Sequence, residues 1–409
     1  MRGVVASVFT RNRAPVERRW RAEGGLPPVD GNRVRNPLTE GPQQTPPGLV
    51  LESAREHFRL PGDGELAPAS SADPGDAGCL VVFDWEAKRP VWESGWGNLV
   101  YTPSGFCLDG DVMYLNDLEG SSIFEVDLVR DPGRPVRRIS HPYMNDLHGL
   151  TRTSRGVLAA AAGTDVVLEL GLDGDLLYEW WAAEHGYTHS PAGLRRSSGR
   201  GREHRDRFYH TRMQTTHLNS VRFRDADERL MLVVLFHQGQ IVQVDREAPA
   251  GARPRVLVDG LARPHALTRT AWGWLVANSA AAEIIALDDD FALIGRHRLD
   301  GCGWLQDLTV LSDGHVLVND VDNHCLVELV PPAWQPVDRI PYHPGWRMAE
   351  ISELPPRAAA AFQVARPDQE PTDFTGRKTC MCHPSTSTSP TAATSAANIA
   401  SSANTSIPT

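Results

Sequence analysis

The chain has 409 residues, with 41 Lys plus Arg against 51 Asp plus Glu and a formal net charge of −10. This acidic balance argues against nucleic acid as a main partner, because neutralising phosphates needs a basic face. Hydrophobic residues make up 41% of the chain, enough for a sizeable core, and 35 Gly with 31 Pro suit a fold of many short strands and turns.

Residues 1–47 are rich in Arg, Pro and Gly and show neither a period of two nor one of 3.6, so they read as a disordered arm. The apolar run 3–9 within it is followed at once by Arg11 and Arg13 and is too short for a secretory core. No run of 18 apolar residues occurs anywhere, so no membrane partner is expected, and the expected location is cytoplasmic. Strands begin at Cys79-Leu80-Val81-Val82-Phe83-Asp84 and continue at Pro90-Val91-Trp92-Glu93, supplying the outer half of a first blade. From about Leu99 onward, short apolar runs alternate with turn signals such as Asp109-Gly110, Pro132-Gly133, Asp173-Gly174 and Asp313-Gly314.

Five of these runs open similar units: Gly105-Phe106-Cys107-Leu108, Leu147-His148-Gly149-Leu150, His217-Leu218-Asn219-Ser220-Val221, Pro264-His265-Ala266-Leu267 and Gln306-Asp307-Leu308-Thr309-Val310. The spacing is 42 residues from Phe106 to His148, 48 from Leu218 to Ala266 and 42 from Ala266 to Leu308. A period in the forties with several strands per unit is that of a β-propeller blade. The 70 residues between His148 and Leu218 hold one blade plus an insertion, 182–215. The expected fold is therefore all-β, a six-bladed β-propeller over 48–346, with a flexible tail over 347–409. Closure of the ring is expected to combine strands from both ends of the domain, since an open seam exposes sheet edges.

Residues 383–409 contain seven Ser and six Thr and no Asp, Glu, Lys or Arg, a composition that cannot form a core. At their start stands Cys380-Met381-Cys382-His383, which reads as a pair of exposed thiols more readily than as a metal site. The six cysteines show no disulfide spacing, and Cys107, Cys302 and Cys325 read as buried thiols.

The strand that opens each blade lines the central channel, so His148, His217, His265 and Asp307 are expected to converge on the axis. Imidazole serves as acid, base, nucleophile or metal ligand, which makes His148, His217, His265 and His237 the candidate catalytic residues. The insertion reads as a lid or binding loop whose end brings Tyr209, Arg212 and Gln214 to the same mouth. With Asn219 and Asp307, these are the candidate substrate-binding residues, suited to a small-molecule or anionic substrate. His148, His217 and His265 are equally candidate ligands for a divalent metal in the channel. A closed repeat fold also serves as a scaffold for a protein partner.

Three stretches resemble arylsulfotransferase-type six-bladed propellers. They are Asp146-Leu147-His148-Gly149-Leu150 with the strand after Asp165, His217-Leu218-Asn219-Ser220-Val221 with Phe236-His237-Gln238-Gly239, and Pro264-His265-Ala266-Leu267. The resemblance spans roughly residues 100–330 and extends to NHL-like propellers and a group of bacterial propellers with similar Asn145-Asp146-Leu147-His148 and His217-Leu218-Asn219 motifs. It implies channel histidines, one of them transiently sulfated, and an arginine beside a His-Gln pair that helps hold the sulfate. Phe236 stands at that arginine's place, and Arg212 is the expected substitute.

Overall fold

The computed structural model describes residues 2–10, 78–94, 99–100, 102–118, 121–205, 207, 209, 211–342 and 346–363. Among them, strands form six four-stranded antiparallel sheets arranged as the blades of a propeller. The first blade uses β1 (Gly3–Thr10), β2 (Gly78–Asp84) and β3 (Arg89–Glu93). The second blade is β4 (Pro103–Asp109), β5 (Val112–Asp117), β6 (Ser122–Asp127) and β7 (Pro135–Ile139). The third is β8 (Leu147–Arg152), β9 (Gly156–Ala161), β10 (Val166–Gly171) and β11 (Leu176–Trp181). The fourth is β12 (Leu218–Phe223), β13 (Leu230–Leu235), β14 (Gln240–Asp245) and β15 (Arg255–Val258). The fifth is β16 (His265–Thr270), β17 (Gly273–Asn278), β18 (Glu283–Leu287) and β19 (Leu293–Arg298). The sixth is β20 (Leu305–Val310), β21 (Val316–Asp320), β22 (Cys325–Val330) and β23 (Gln335–Pro341).

The first blade is completed by β24 (Trp346–Glu353), which pairs with β1 and gives the order β24-β1-β2-β3. Strands from both ends of the propeller therefore share one sheet, and the ring is closed by hydrogen bonds. Two expectations are corrected here. Residues 3–10 are a strand rather than part of a disordered arm, because Val4, Val5, Ala6 and Val8 are buried between neighbouring sheets. The propeller also runs past 346 through β24 to the helix α1 (Pro356–Gln363), whose Ala358, Ala359 and Phe362 pack with Leu80, Val82 and Leu99. The rest of the expected arm and tail, including the Cys380-Met381-Cys382-His383 cluster, lies outside the described residues.

Middle strands such as β9 and β10 are buried along their whole length, because neighbouring blades cover both faces, and their sequences are mostly apolar, with Glu169 of β10 paired with Arg155 and Arg246. Outer strands such as β7 and β19 face solvent and carry Arg137, Arg138, Arg296 and Arg298. Apolar clusters fill the spaces between adjacent blades.

The innermost strands β4, β8, β12, β16, β20 and β24 touch one another in cyclic order around the axis. Each carries a register shift, near its start in β4, β8, β12, β16 and β20 and mid-strand in β24. The approach between inner strands is so close that a Cβ on Gly105 would stand 2.1 Å from the His148 carbonyl oxygen, and one on Gly149 2.9 Å from that of Asn219. No helix among the described residues is long and apolar enough to cross a membrane.

Candidate functional site

A residue one or two places before the inner strand is left-handed in three successive blades: Asp146 (φ 49°), His217 (φ 46°) and Arg263 (φ 53°). This backbone region costs a residue with a side chain roughly 1–2 kcal/mol, and its recurrence beside the channel marks a built site. Aligning the blades on these three residues puts His148, Asn219 and His265 at one place, two residues further on. His217 is thus equivalent to Asp146 and Arg263, which corrects the expectation that the three channel histidines share one repeat position. The site gathers them nonetheless. The rings of His148 and His217 meet edge-to-face with centroids 4.8 Å apart, and His217 lies 5.8 Å from His237.

Hydrogen bonding fixes how His217 is protonated. The Gln214 amide nitrogen donates to Asp146 Oδ2 (2.8 Å) and to the Tyr209 carbonyl (2.8 Å), so the other end of the amide is its oxygen. That oxygen meets His217 Nδ1 in a short contact and can only accept. Neutral His217 therefore carries its proton on Nδ1 and keeps a lone pair on Nε2. Gln214, expected to grip substrate, is fully buried and spends all its polar atoms on this relay, so it is a positioning residue.

Asp146 was not among the expected ligands, yet it completes the tightest donor group. Ligand atoms of Asp146, His148 and His217 all lie within 4.8 Å of one another, with His148 Nε2 3.6 Å from Asp146 Oδ1. Buried His148 Nε2, Asn219 Oδ1 and Ser220 Oγ have no hydrogen-bond partner among the described residues, as expected where a ligand or ion supplies the missing contact. A ligating histidine normally donates its other N–H to a fixed acceptor, and Gln214 provides one for His217. His265, expected as the third histidine ligand, is not part of this group.

His265 occupies the far side of the mouth. Its Nδ1 faces the Arg263 carbonyl (3.3 Å) and Ser279 Oγ (2.8 Å), whose hydroxyl donates in turn to the Ala277 carbonyl, so Nδ1 again holds the proton. Burial, reinforced by the charges of His148 and Arg347, holds the His265 pKa well below the usual imidazole value. His237 donates from Nε2 to the Thr211 carbonyl (2.9 Å), and burial lowers its pKa as well. Between these histidines stands Phe236, with ring centroids 4.9 Å from His217, 5.2 Å from His237 and 5.4 Å from His265. Phe236, Trp304 and Val321 form a small apolar cluster there, separate from those between the blades.

Described residues of the insertion bond to the third blade and to one another. Arg196 pairs with Asp165, and His204 bridges the Tyr209 hydroxyl (2.7 Å) and the Gly199 carbonyl (2.8 Å). Tyr209 is buried and its hydroxyl is engaged by His204, so it supports the insertion and does not reach substrate. Arg212 lies in a short 3-10 turn, Thr211–Met213, close enough for its charge to act on His237.

Asp307 is one residue beyond the histidine place on β20, where Gln306 stands, and it belongs to a second group. Its Oδ2 accepts the Ile351 N–H (2.8 Å), while Glu350 on β24 accepts the Phe106 N–H (2.7 Å) and faces Arg222 at 3.7 Å. Burial raises Asp307 well above the usual carboxylate range, helped by Glu350, and pushes Glu350 to about 7. Sequence reasoning missed Glu350 because the domain was ended four residues before it.

No known family pattern matches the chain, and no curated protein matches it. Among solved structures, the chain is similar to a protein of unknown function from Bacteroides caccae, with 15% identity, 68% of this chain and 94% of that chain covered, and a TM-score of 0.48. It is similar to a chain in a nidogen/laminin complex at 13% identity, with 68% and 96% covered and a TM-score of 0.49. It is also similar to virginiamycin B lyase from Staphylococcus aureus at 8% identity, with 59% and 70% covered and a TM-score of 0.41. Likenesses this distant carry no argument about a reaction, and the chemistry rests on the residues at the mouth.

Proposed function

We propose that the chain is a metal-dependent propeller enzyme of the lyase or lactonase kind, acting on a small anionic molecule at the channel mouth. The observation that carries this reading is the Asp146–His148–His217 group, with Gln214 holding the His217 lone pair on Nε2. A divalent cation held there would supply Lewis acidity to an ester or lactone oxygen or to a bound water. His265, kept neutral by burial, would take up a proton at Nε2. Arg212, Arg263 and Arg347 surround the histidines closely enough for their charges to act on His237 and His265, which suits an anionic substrate.

Titration calorimetry of the full chain with Zn2+, Mn2+ and Ca2+ tests the reading. One equivalent of one ion is expected, lost in Asp146→Ala and His217→Ala, followed by turnover in a lactone and ester panel. An absence of uptake and turnover favours a scaffold for a protein partner. A second reading, group transfer through a sulfated histidine, is favoured by the same Nε2 lone pair on His217. It is weakened by apolar Phe236, which offers no grip for a sulfate. Incubation with an aryl sulfate and intact-mass measurement checks it, since a covalent adduct on His217 is required.

A further inference from the structure

We propose that Asp165 and Arg196 are positioning residues for His217, through which the insertion 182–215 sets the cation affinity of the mouth; this rests on the metal-site reading above. Asp165 sits in the turn between β9 and β10, on a different blade from His217. Its Oδ1 accepts the Thr216 N–H (2.8 Å), the Thr216 hydroxyl (2.7 Å) and the His217 N–H (3.0 Å). Its Oδ2 accepts the Thr215 N–H (2.7 Å) and a short contact from Arg196. Three successive backbone amides thus converge on one carboxylate, and the last belongs to the left-handed residue whose ring enters the site.

Arg196 closes the device from the insertion. Its second terminal nitrogen donates to the Gly163 carbonyl (2.8 Å), its own N–H donates to the Thr188 carbonyl (2.8 Å), and its guanidinium lies over the Tyr209 ring at 5.5 Å. The side chains are 1% and 3% exposed, so the pair is shielded from salt and its geometry is held. Gln214, which sets the His217 ring, and Thr215, which Asp165 anchors, are neighbours in sequence. Gln214 is itself held by Asp146 and the Tyr209 carbonyl, so a shift of the anchored segment 215–217 moves the His217 ring against both its acceptor and Asp146. Second partners of metal ligands typically change affinity 10–100-fold when removed.

The test removes both charges together, since removing one leaves the other buried and alone. Asp165→Asn/Arg196→Gln is expected to weaken Zn2+ binding by about tenfold or more. In the metal-free protein, the His217 ring nitrogens, read by long-range 1H–15N NMR, are expected to leave the single Nδ1–H form while the His315 signals stay in place. The conservative Arg196→Lys is expected to restore both readouts most of the way. Wild-type affinity and wild-type His217 ring signals in the double variant would overturn the proposal. Should the double variant fail to fold, Thr216→Val, which deletes one hydroxyl bond to Asp165, is measured in its place. It is expected to shift the same ring signals by less, and an unmoved ring there also overturns the proposal. A wild-type chain that takes up no Zn2+ defeats the metal reading alone, since the ring signals of the metal-free protein still report the positioning.

Discussion

Two groups among the described residues combine histidine with carboxylate, and their neighbours give them opposite characters. At the mouth, Asp146, His148 and His217 stand beside the neutral amide of Gln214. In the sixth blade, Asp313, His315 and Glu328 come equally close, but Arg2 pairs with Asp313 and Lys88 lies 2.7 Å from Glu328. Glu328 also accepts from His315 (2.8 Å) and from the Trp85 indole (3.2 Å). There the cations already supply the positive charge that an ion would bring, so the group clamps the first blade to the sixth. Donor type alone does not identify a metal site; the charge of the surrounding groups decides.

The sharpest way to break this comparison is to load both groups with metal. His217→Ala is expected to weaken binding by at least about 100-fold, or about 3 kcal/mol, while His315→Ala leaves it unchanged; calorimetry with Zn2+ reads both. Equal losses would mean that the two groups are alike.

Stability should respond the other way round. Glu328→Ala leaves the Trp85 indole without its acceptor and Lys88 with the exposed Asp338 at 3.5 Å, and removing one member of this mostly buried charged pair costs about 2–3 kcal/mol after allowing for the partial exposure of Lys88. Asp146→Ala is expected to cost well under that, since Asp146 is partly exposed. Denaturant midpoints at pH 7 measure the difference.

Acid sharpens the contrast further. The His265 pKa is lowered in the folded state, so below about 6.5 the unfolded chain binds a proton that the folded one refuses. Its contribution is present above that pH and is lost as pH falls, by at most about 1.4 kcal/mol per pH unit. Glu328 is a lowered carboxylate, despite burial, because Lys88 and His315 bond it; its contribution survives to lower pH and disappears as pH falls below its unfolded value of about 4.5. Glu350 acts with the opposite sign, losing stability as pH rises from about 4.5 to about 7, so the His265 part must be read as wild type minus His265→Gln. A difference curve that is flat between pH 5 and 6.5 would contradict the lowered His265 value. The smallest expected effect is that of Arg347→Gln, which removes one cation near His265 and should raise its titration point; NMR titration of the ring follows it.

The second to sixth blades were legible because each strand is a short apolar run between turn signals, and the repeat puts these runs in register. Of the first blade only the outer half, β2 and β3, was legible, since β1 and β2 are separated by residues 11–77 and β24 follows the last clear repeat. Apolar patterning marks a strand but does not name its pairing partner, and the run 3–9 carried that signal without its context. His148 and His265 were visible as repeat residues. Asp146 was visible too, inside a quoted motif, but its equivalence to His217 is a backbone property that side-chain type conceals. Asp165 was out of reach, because its carboxylate acts on a segment 50 residues away. Gln214 and Tyr209 were recognised as belonging near the mouth, and only the hydrogen-bond directions distinguish support from substrate contact.

The pairing of β1 with β24 has a consequence for synthesis. β1 leaves the ribosome first, yet its inner-edge partner begins at Trp346, so at about 5–20 residues per second that edge waits roughly 20–70 s for its strand. During that interval the ring is not closed and the inner edge of β1 is unpaired. Arg347 and Glu350 arrive on the closing strand, so the channel acquires these two charges only when the ring shuts. A nascent chain stalled before residue 346 would carry the mouth histidines without this wall, exposing an edge that a chaperone or another copy of the chain can capture.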